Sequence, residues 1–240
     1  RSIDLYKINL EVYFSAKDID SFNEKDFSFF LENNLSYKPF FTVHGPFMDL
    51  TPSAIDPLIH DVTIKRFKKT LQLANFLNAK MVIFHSGYEK WKYNHKIDLW
   101  LEKSLYTWEE IIRYAQQMNL KIAIENIFEE TPDNLKQLME VLDSETIGLC
   151  FDTGHFNIFS KVSLSQWLDS VDSYIYEFHI HDNNGLADQH LAPGKGNFDF
   201  DTLIRKLNNK YKHCIITVEA HEIGDAKESF AYLKKNLNDF

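Results

Sequence analysis

Short apolar runs alternate with longer helical stretches along the chain, and this alternation restricts the possible folds more than any other sequence feature. The runs are rich in β-branched and aromatic residues and predict seven strands: Ile8–Phe14, Phe40–His44, Lys80–His85, Lys121–Glu125, Ile147–Asp152, Tyr176–His181 and Cys214–Glu219. Helical periodicity between them predicts six helices: Leu58–Leu77, Lys96–Met118, Pro132–Val141, Leu164–Ser170, Asp201–Lys210 and Ala226–Leu237. Nearly continuous apolar strands are typical of parallel sheets, so we expect an α/β fold.

Two α/β architectures fit this alternation, a closed (β/α)8 TIM barrel and an open doubly wound sheet. Neither G-x-G-x-x-G nor G-x-x-x-x-G-K-S/T follows a predicted strand, which disfavours the open nucleotide-binding sheet. We therefore predict the barrel. Seven strands are one fewer than a barrel needs, so either the first β-strand and helix unit is missing from this sequence or the barrel is incomplete. We expect the first. The chain shows no linker or low-complexity stretch, so residues 1–240 are predicted to form a single domain.

Composition excludes several classes of protein. Hydrophobic residues make up 44% and charged residues 25% of the 240 residues, as in a folded globular protein. With a net charge of −9, the chain lacks the basic surface that is usual in proteins that bind duplex nucleic acid. This disfavours duplex binding without excluding it, because bound divalent cations would add positive charge locally. No window is apolar enough to predict a membrane span. Cys150 and Cys214 have no metal-binding spacing, and we expect a reduced, cytoplasmic setting.

Histidine and carboxylate side chains stand at or just after the ends of the predicted strands. They are His44, His85, Glu125, Asp152, His155, His179, Asp188, His190 and Glu219. In a parallel barrel the carboxyl ends of all strands open onto one face, where active sites lie. Imidazole and carboxylate groups are ligands for Zn, Mn, Fe or Mg, and burying several of them together is costly without a cation. The sequence therefore predicts a metal site.

Further side chains near these strand ends are candidates for contact with a substrate. Three aromatic residues, one amide, one histidine and one lysine form this set: Phe47, Tyr88, Trp91, Asn126, His181 and Lys195. His181 lies two positions after a candidate ligand, on the same side of its strand, and we expect it to support the metal ligands.

Three segments carry the most specific sequence motifs of the chain. They are Gly148–His155, His179–Asp182 and Asp188–Asn197. In them the sequence resembles the xylose-isomerase-like TIM-barrel superfamily, which contains endonuclease IV (AP endonuclease family 2) and many sugar isomerases and epimerases. The resemblance extends from Leu10 to Leu237 and implies a (β/α)8 barrel.

Resemblance to endonuclease IV implies a three-metal centre, with zinc the expected metal and Mn, Fe or Co as alternatives. It assigns the first metal to His44 and His85, a bridge to Glu125, the second metal to Asp152, His179 and Glu219, and the third to His155, Asp188 and His190. A hydroxide held between metals would then hydrolyse a phosphoester, in abasic DNA or in a small phosphorylated substrate. A metal-dependent phosphoester hydrolase is our main expectation from the sequence.

The sugar isomerases and epimerases of the superfamily imply an alternative with one metal. Their ligands match Glu125, Asp152, His179 and Glu219, with Glu125 and Glu219 also moving the proton and His155 contacting a polyhydroxyl substrate. Asp188 and His190 separate the two chemistries, because such a pair beside His155 has a clear use as a third metal site. The chain departs from endonuclease IV in the loop before Asp188 and at Gln189, where that enzyme has Arg. A non-catalytic metal-binding barrel is the second alternative.

Overall fold

The computed structural model describes residues 7–238, and in these residues the predicted α/β alternation is confirmed. The strands are β1 Leu10–Tyr13, β2 Phe41–His44, β3 Met81–His85, β4 Lys121–Glu125, β5 Ile147–Asp152, β6 Ile175–Ile180 and β7 Ile215–Val218. The α-helices are α1 Ala16–Ser21, α2 Glu24–Asn34, α3 Pro57–Phe76, α4 Ile97–Gln117, α5 Asp133–Leu142, α6 Thr153–Phe159, α7 Leu164–Val171, α8 Phe200–Asn209 and α9 Ile223–Asn236. Among these helices, none is both long and apolar enough to cross a bilayer.

The described residues group into two compact units. The first unit comprises residues 7–87, 102–122 and 144–147, and the second comprises residues 88–101, 123–143 and 148–238. The single domain expected for residues 1–240 stays a prediction.

In the first unit, β1, β2 and β3 are parallel neighbours in the order of the sequence. Asp56 caps α3, and Pro57 begins the helix with the φ angle that a first helical residue needs. One face of α3 is apolar, and Phe67 on that face stacks on Phe84 of β3 with ring centroids 4.1 Å apart. Trp108 of α4 stacks on the other side of Phe67 at 5.6 Å. These aromatic contacts fix the helices on the strands.

In the second unit, β5, β6 and β7 are likewise parallel neighbours. Asp152 is aligned with His179, and His179 is aligned with Thr217. Trp167 of α7 and Phe178 of β6 are both buried, and their rings pack edge-on against Phe151 of β5. Because side chains alternate along a strand, this register places Asp152 and His179 on the same face at the carboxyl end of the sheet.

Three helices were not predicted, and β1, β6 and β7 each end one residue before the predicted end, at Tyr13, Ile180 and Val218. α1, α2 and α6 were not predicted, and they begin at the capping residues Ser15, Asn23 and Asp152. β6 ends one residue before His181, because the backbone N–H of His181 donates to the side chain of Thr153 instead of continuing the ladder. β7 ends at Val218, so Glu219 lies just beyond its strand.

Candidate functional site

Three of the predicted metal ligands converge around one ring nitrogen of a fourth, His179, in the second unit. Glu125 and Asp152 are the last residues of β4 and β5, and Glu219 follows β7. His179 Nδ1 lies 3.0 Å from Glu219 Oε1, 3.7 Å from Glu125 Oε2 and 3.9 Å from Asp152 Oδ2. Glu125, Asp152 and His179 are buried, and Glu219 is partly exposed. The ends of four successive strands thus supply three carboxylates around one imidazole.

His155 joins this group through the first turn of α6. The Asp152 carboxylate caps the helix by accepting the backbone N–H of His155 at 2.7 Å, and this cap fixes the direction of the His155 side chain. His155 Nδ1 then lies 3.0 Å from Glu125 Oε1 and 3.3 Å from Asp152 Oδ1. Burial lowers the pKa of His155, but the carboxylates of Asp152, Asp188 and Glu125 outweigh burial and hold that pKa well above its ordinary value.

Asp188 and His190 lie beside His155, as the three-metal interpretation requires. Asp188 Oδ2 is 3.0 Å from His190 Nε2 and 3.5 Å from His155 Nε2. Partial burial raises the pKa of Asp188, but its contacts with His155 and His190 outweigh burial and hold it far below the ordinary value. The predicted third ligand set is therefore brought together.

His181 is the partner of Asp152. His181 Nε2 lies 2.9 Å from Asp152 Oδ2, and a Cβ on Gly154 would stand 2.0 Å from the His181 ring. The ring stacks on His190 with centroids 4.0 Å apart and planes 9° apart. His181, His190 and Glu219 offer ligand atoms within 4.8 Å of one another. The nitrogen lone pairs of the two parallel imidazole rings lie in separate planes, however, so they do not converge on one ion.

The donor set of the second unit fits a divalent cation. Besides His181, His190 and Glu219, two more groups of this unit offer ligand atoms that all lie within 4.8 Å of one another: Glu125 with Asp152 and His155, and Asp152 with His179 and Glu219. Buried carboxylates at such distances repel one another, and a cation removes that repulsion. Oxygen and imidazole nitrogen donors without a thiolate suit Zn, Mn, Fe or Co.

The two histidines of the first unit, His44 and His85, stand at the ends of β2 and β3. Their ring centroids are 5.2 Å apart, and Phe47 stacks on His85 at 4.2 Å. The first-metal site predicted for them also needs Glu125, a residue of the second unit, and it stays a prediction.

Asn126 and Lys195, predicted to contact substrate, are engaged with other residues of the protein. The Asn126 amide donates to the backbone carbonyl of Asp152 at 3.1 Å and accepts the Asp152 backbone N–H at 2.9 Å. Lys195 is paired with Asp225 at 2.8 Å and with Glu228 at 2.9 Å. Asn126 thereby holds the ends of β4 and β5 together, and its predicted contact with substrate stays untested, as does that of Lys195.

The two aromatic residues predicted in the loop after β3 differ in their surroundings. Tyr88 packs edge-on against Trp100, and burial raises the pKa of its phenol. Trp91 is 70% exposed and contacts the ring of His95. The exposed indole is available to a ligand, whereas most of Tyr88 packs against protein.

Asp182 has a structural role that the sequence analysis missed. Its carboxylate accepts the backbone N–H groups of Asn183, Gly194, Gly196 and Phe198 at 2.8 to 3.2 Å. Gly196 is needed there, since a Cβ would meet Asp182 Oδ1 at 2.4 Å. The glycines on either side of Lys195 were a signal for such close backbone approach. Asp182 thus anchors the loop that presents Asp188 and His190.

Comparison with known proteins gave concordant matches. A family described as "Xylose isomerase-like TIM barrel" matches residues 17–236. Two uncharacterized proteins of Methanocaldococcus jannaschii, MJ1311 and MJ1614, are 29% and 30% identical, over 89% and 84% of this chain and 75% and 79% of their own. The crystal structure of a D-tagatose 3-epimerase-like protein is 26% identical, with a TM-score of 0.82 over 94% of this chain and 86% of that one. The predicted resemblance and TIM-barrel fold class are thereby confirmed.

Proposed function

The chain belongs to the xylose isomerase-like TIM barrel family, and from this premise we propose that it is a metal-dependent isomerase or epimerase of a small ketose or ketose phosphate. The observation that supports this proposal best is the convergence of Glu125, Asp152 and Glu219 on His179 Nδ1. This set would hold one cation, and two of its three carboxylates, Glu125 and Glu219, come from the ends of different strands. The proposal therefore favours the alternative of the sequence analysis over the hydrolase.

One of the similar proteins reported above supports the same proposal. The D-tagatose 3-epimerase-like protein is named for an epimerase of a ketose and is 26% identical to this chain. We propose that this protein acts on the same class of substrate as that name indicates, a small ketose. The proposed substrate is a small polyhydroxyl compound, and abasic DNA is no part of this proposal.

The proposed reaction is transfer of a proton at the carbon next to a carbonyl group. A divalent cation on Glu125, Asp152, His179 and Glu219 would polarise the carbonyl and the neighbouring hydroxyl. We assign proton removal and return to Glu125 and Glu219, because epimerisation needs one base and one acid at the same carbon. Both carboxylates lie within 4 Å of His179 Nδ1. His155, held by the helix cap at Asp152, would orient a substrate hydroxyl.

Incorporation of solvent deuterium tests this proposal. The metal-loaded protein is incubated in deuterium oxide with a panel of ketoses and ketose phosphates, and NMR locates new deuterium. We expect exchange at the carbon next to the carbonyl, and Glu219→Gln should lower its rate by ~100-fold or more because a general acid–base group is lost. Glu140→Gln, at an exposed position on α5, serves as the control and should exchange as the wild type does. Exchange with no sugar of the panel would contradict the proposal.

A multinuclear phosphoester hydrolase is the second candidate, and the position of Asp188 between His155 and His190 favours it. Asp188→Ala separates the two candidates. A three-metal hydrolase should lose nearly all activity, whereas the proposed epimerase should lose less than ~10-fold, since Asp188 is not a ligand of its single metal. Asp201→Ala, at an exposed residue of α8, is the matched control. Cleavage of abasic DNA that Asp188→Ala abolishes would establish the hydrolase, and metal binding without either activity would indicate the non-catalytic barrel.

A further inference from the structure

His179 presents its second ring nitrogen to another buried carboxylate, that of Glu177. The two residues are two positions apart on β6, so their side chains lie on the same face of the strand. Both are fully buried. His179 Nε2 lies 3.9 Å from Glu177 Oε1, on the ring edge opposite to the Nδ1 that faces Glu219. The imidazole therefore stands between the cluster of predicted ligands and a carboxylate that belongs to no predicted ligand set.

The surroundings of Glu177 keep its side chain in place. The Thr217 hydroxyl, aligned with His179 on the neighbouring strand, donates a hydrogen bond to Glu177 Oε1. Cys150 is aligned with Glu177 on the other side. Burial raises the pKa of the Cys150 thiol well above its ordinary value, although a hydrogen bond to His179 and the charge of that ring lower it, and the nearby carboxylate of Glu177 raises it further. Burying a carboxylate costs free energy, and we therefore expect Glu177 to have a role that offsets this cost.

We propose that Glu177 is a positioning residue that keeps the proton of His179 on Nε2 and leaves the lone pair of Nδ1 to the metal. A negative charge near one ring nitrogen favours the tautomer with the proton on that nitrogen. At 3.9 Å the contact is longer than a direct hydrogen bond, so Glu177 acts here through its charge. In metal sites the second ring nitrogen of a histidine ligand commonly donates its N–H to a carboxylate, a backbone carbonyl or water, and that partner fixes the tautomer and raises the basicity of the ligand. The inference rests on the proposed metal site of the isomerase.

Metal affinity of a Glu177→Gln variant tests this role. Glutamine keeps the size of the side chain and an oxygen that accepts from Thr217, but it removes the charge. We expect the affinity of chelator-stripped protein for Mn²⁺ and for Zn²⁺ to fall by about 10- to 100-fold. The thermal melting of the metal-free protein should stay close to that of the wild type. Glu129→Gln is the control, because Glu129 is also buried but accepts the backbone N–H of Ile127 instead of facing His179.

Two results would overturn the inference. One is a Glu177→Gln protein with wild-type metal affinity, and the other is an equal loss of affinity in Glu129→Gln. If Glu177→Gln does not fold, Glu177→Asp decides, since it keeps the charge but withdraws it by one methylene. Reduced affinity with normal melting supports the role, and wild-type affinity overturns it. Because no substrate is present, a protein inactive on ketoses would refute the proposed function without affecting this result.

Discussion

Asp152 shows how much of the site depends on single side chains. Its carboxylate caps α6 through the N–H of His155, contacts the ring of His181 and faces His179. Asn126 holds the backbone of Asp152 through two further hydrogen bonds. These bonds come from the protein itself, so the carboxylate is held in its position by the fold. Such preorganisation is what a precise binding site requires.

Gly154 is the position where this packing is tightest. Gly154→Ala should lower the free energy of unfolding by ~1–3 kcal/mol, because the new methyl group would stand 2.0 Å from the His181 ring. Urea denaturation measures the change. Gly224→Ala is the control, since a Cβ there meets nothing within 4 Å and alanine should not destabilise the start of α9. A Gly154→Ala protein as stable as the wild type would contradict the described contact.

Single residues differ in how far their roles could be predicted. His179 and Glu219 could be proposed as ligands because polar residues at strand ends share one face of a parallel sheet. Glu177 was missed inside an apolar run, although its two-residue spacing from His179 was visible in the sequence. The role of Asn126 could not be foreseen, since its hydrogen bonds depend on how β4 and β5 are placed side by side.

At the scale of elements, the strands were predicted more accurately than the helices near the amino-terminal end. The predicted β4 and β5 match the observed strands residue for residue. α1 and α2 were not predicted because the hydrophobic periodicity of their sequences is weak, and α2 buries none of its residues. Their caps were visible, with Ser15 and Asp18 forming a capping box and Asn23 capping α2. Cap signals therefore locate short helices that hydrophobic periodicity does not.

The start of α7 offers a direct test of one such cap. The Ser163 hydroxyl accepts the backbone N–H of Gln166, and the Gln166 side chain accepts the N–H of Ser163. Ser163→Ala should therefore cost ~1 kcal/mol in unfolding free energy. Ser165→Ala, inside the same helix, should change stability by less than ~0.5 kcal/mol, because alanine favours helices. Equal urea midpoints for the two variants would show that the cap has no such effect.

At the scale of the whole molecule, the alternation of strands and helices was sufficient to predict the α/β class. The reaction could not be predicted in the same way. Glu125, Asp152, His179 and Glu219 serve both of the chemistries that the resemblance implied. Only Asp188 and His190 separate these chemistries, and their proximity to His155 is compatible with a third metal and with a charged pair.

Metal removal should change the stability of the whole protein. A cation that binds only the folded state stabilises it by ~2.7 kcal/mol at 100 times its dissociation constant. For a chain of this size, removal of the cation by a chelator should lower the melting temperature by ~5–10 °C. Asp152→Asn should abolish most of the difference between metal-loaded and chelated protein. Identical melting of the wild type with and without Mn²⁺ or Zn²⁺ would contradict a metal site at these residues.

The number of metal ions per chain tests the central claim most directly. It is measured by elemental analysis of protein purified without a chelator or a polyhistidine tag. The proposed isomerase or epimerase predicts about one equivalent of divalent metal, held by Glu125, Asp152, His179 and Glu219. Asp188→Ala should leave that content unchanged. About three equivalents in the wild type, reduced by Asp188→Ala, would contradict the single-metal account and establish the multinuclear centre of a hydrolase.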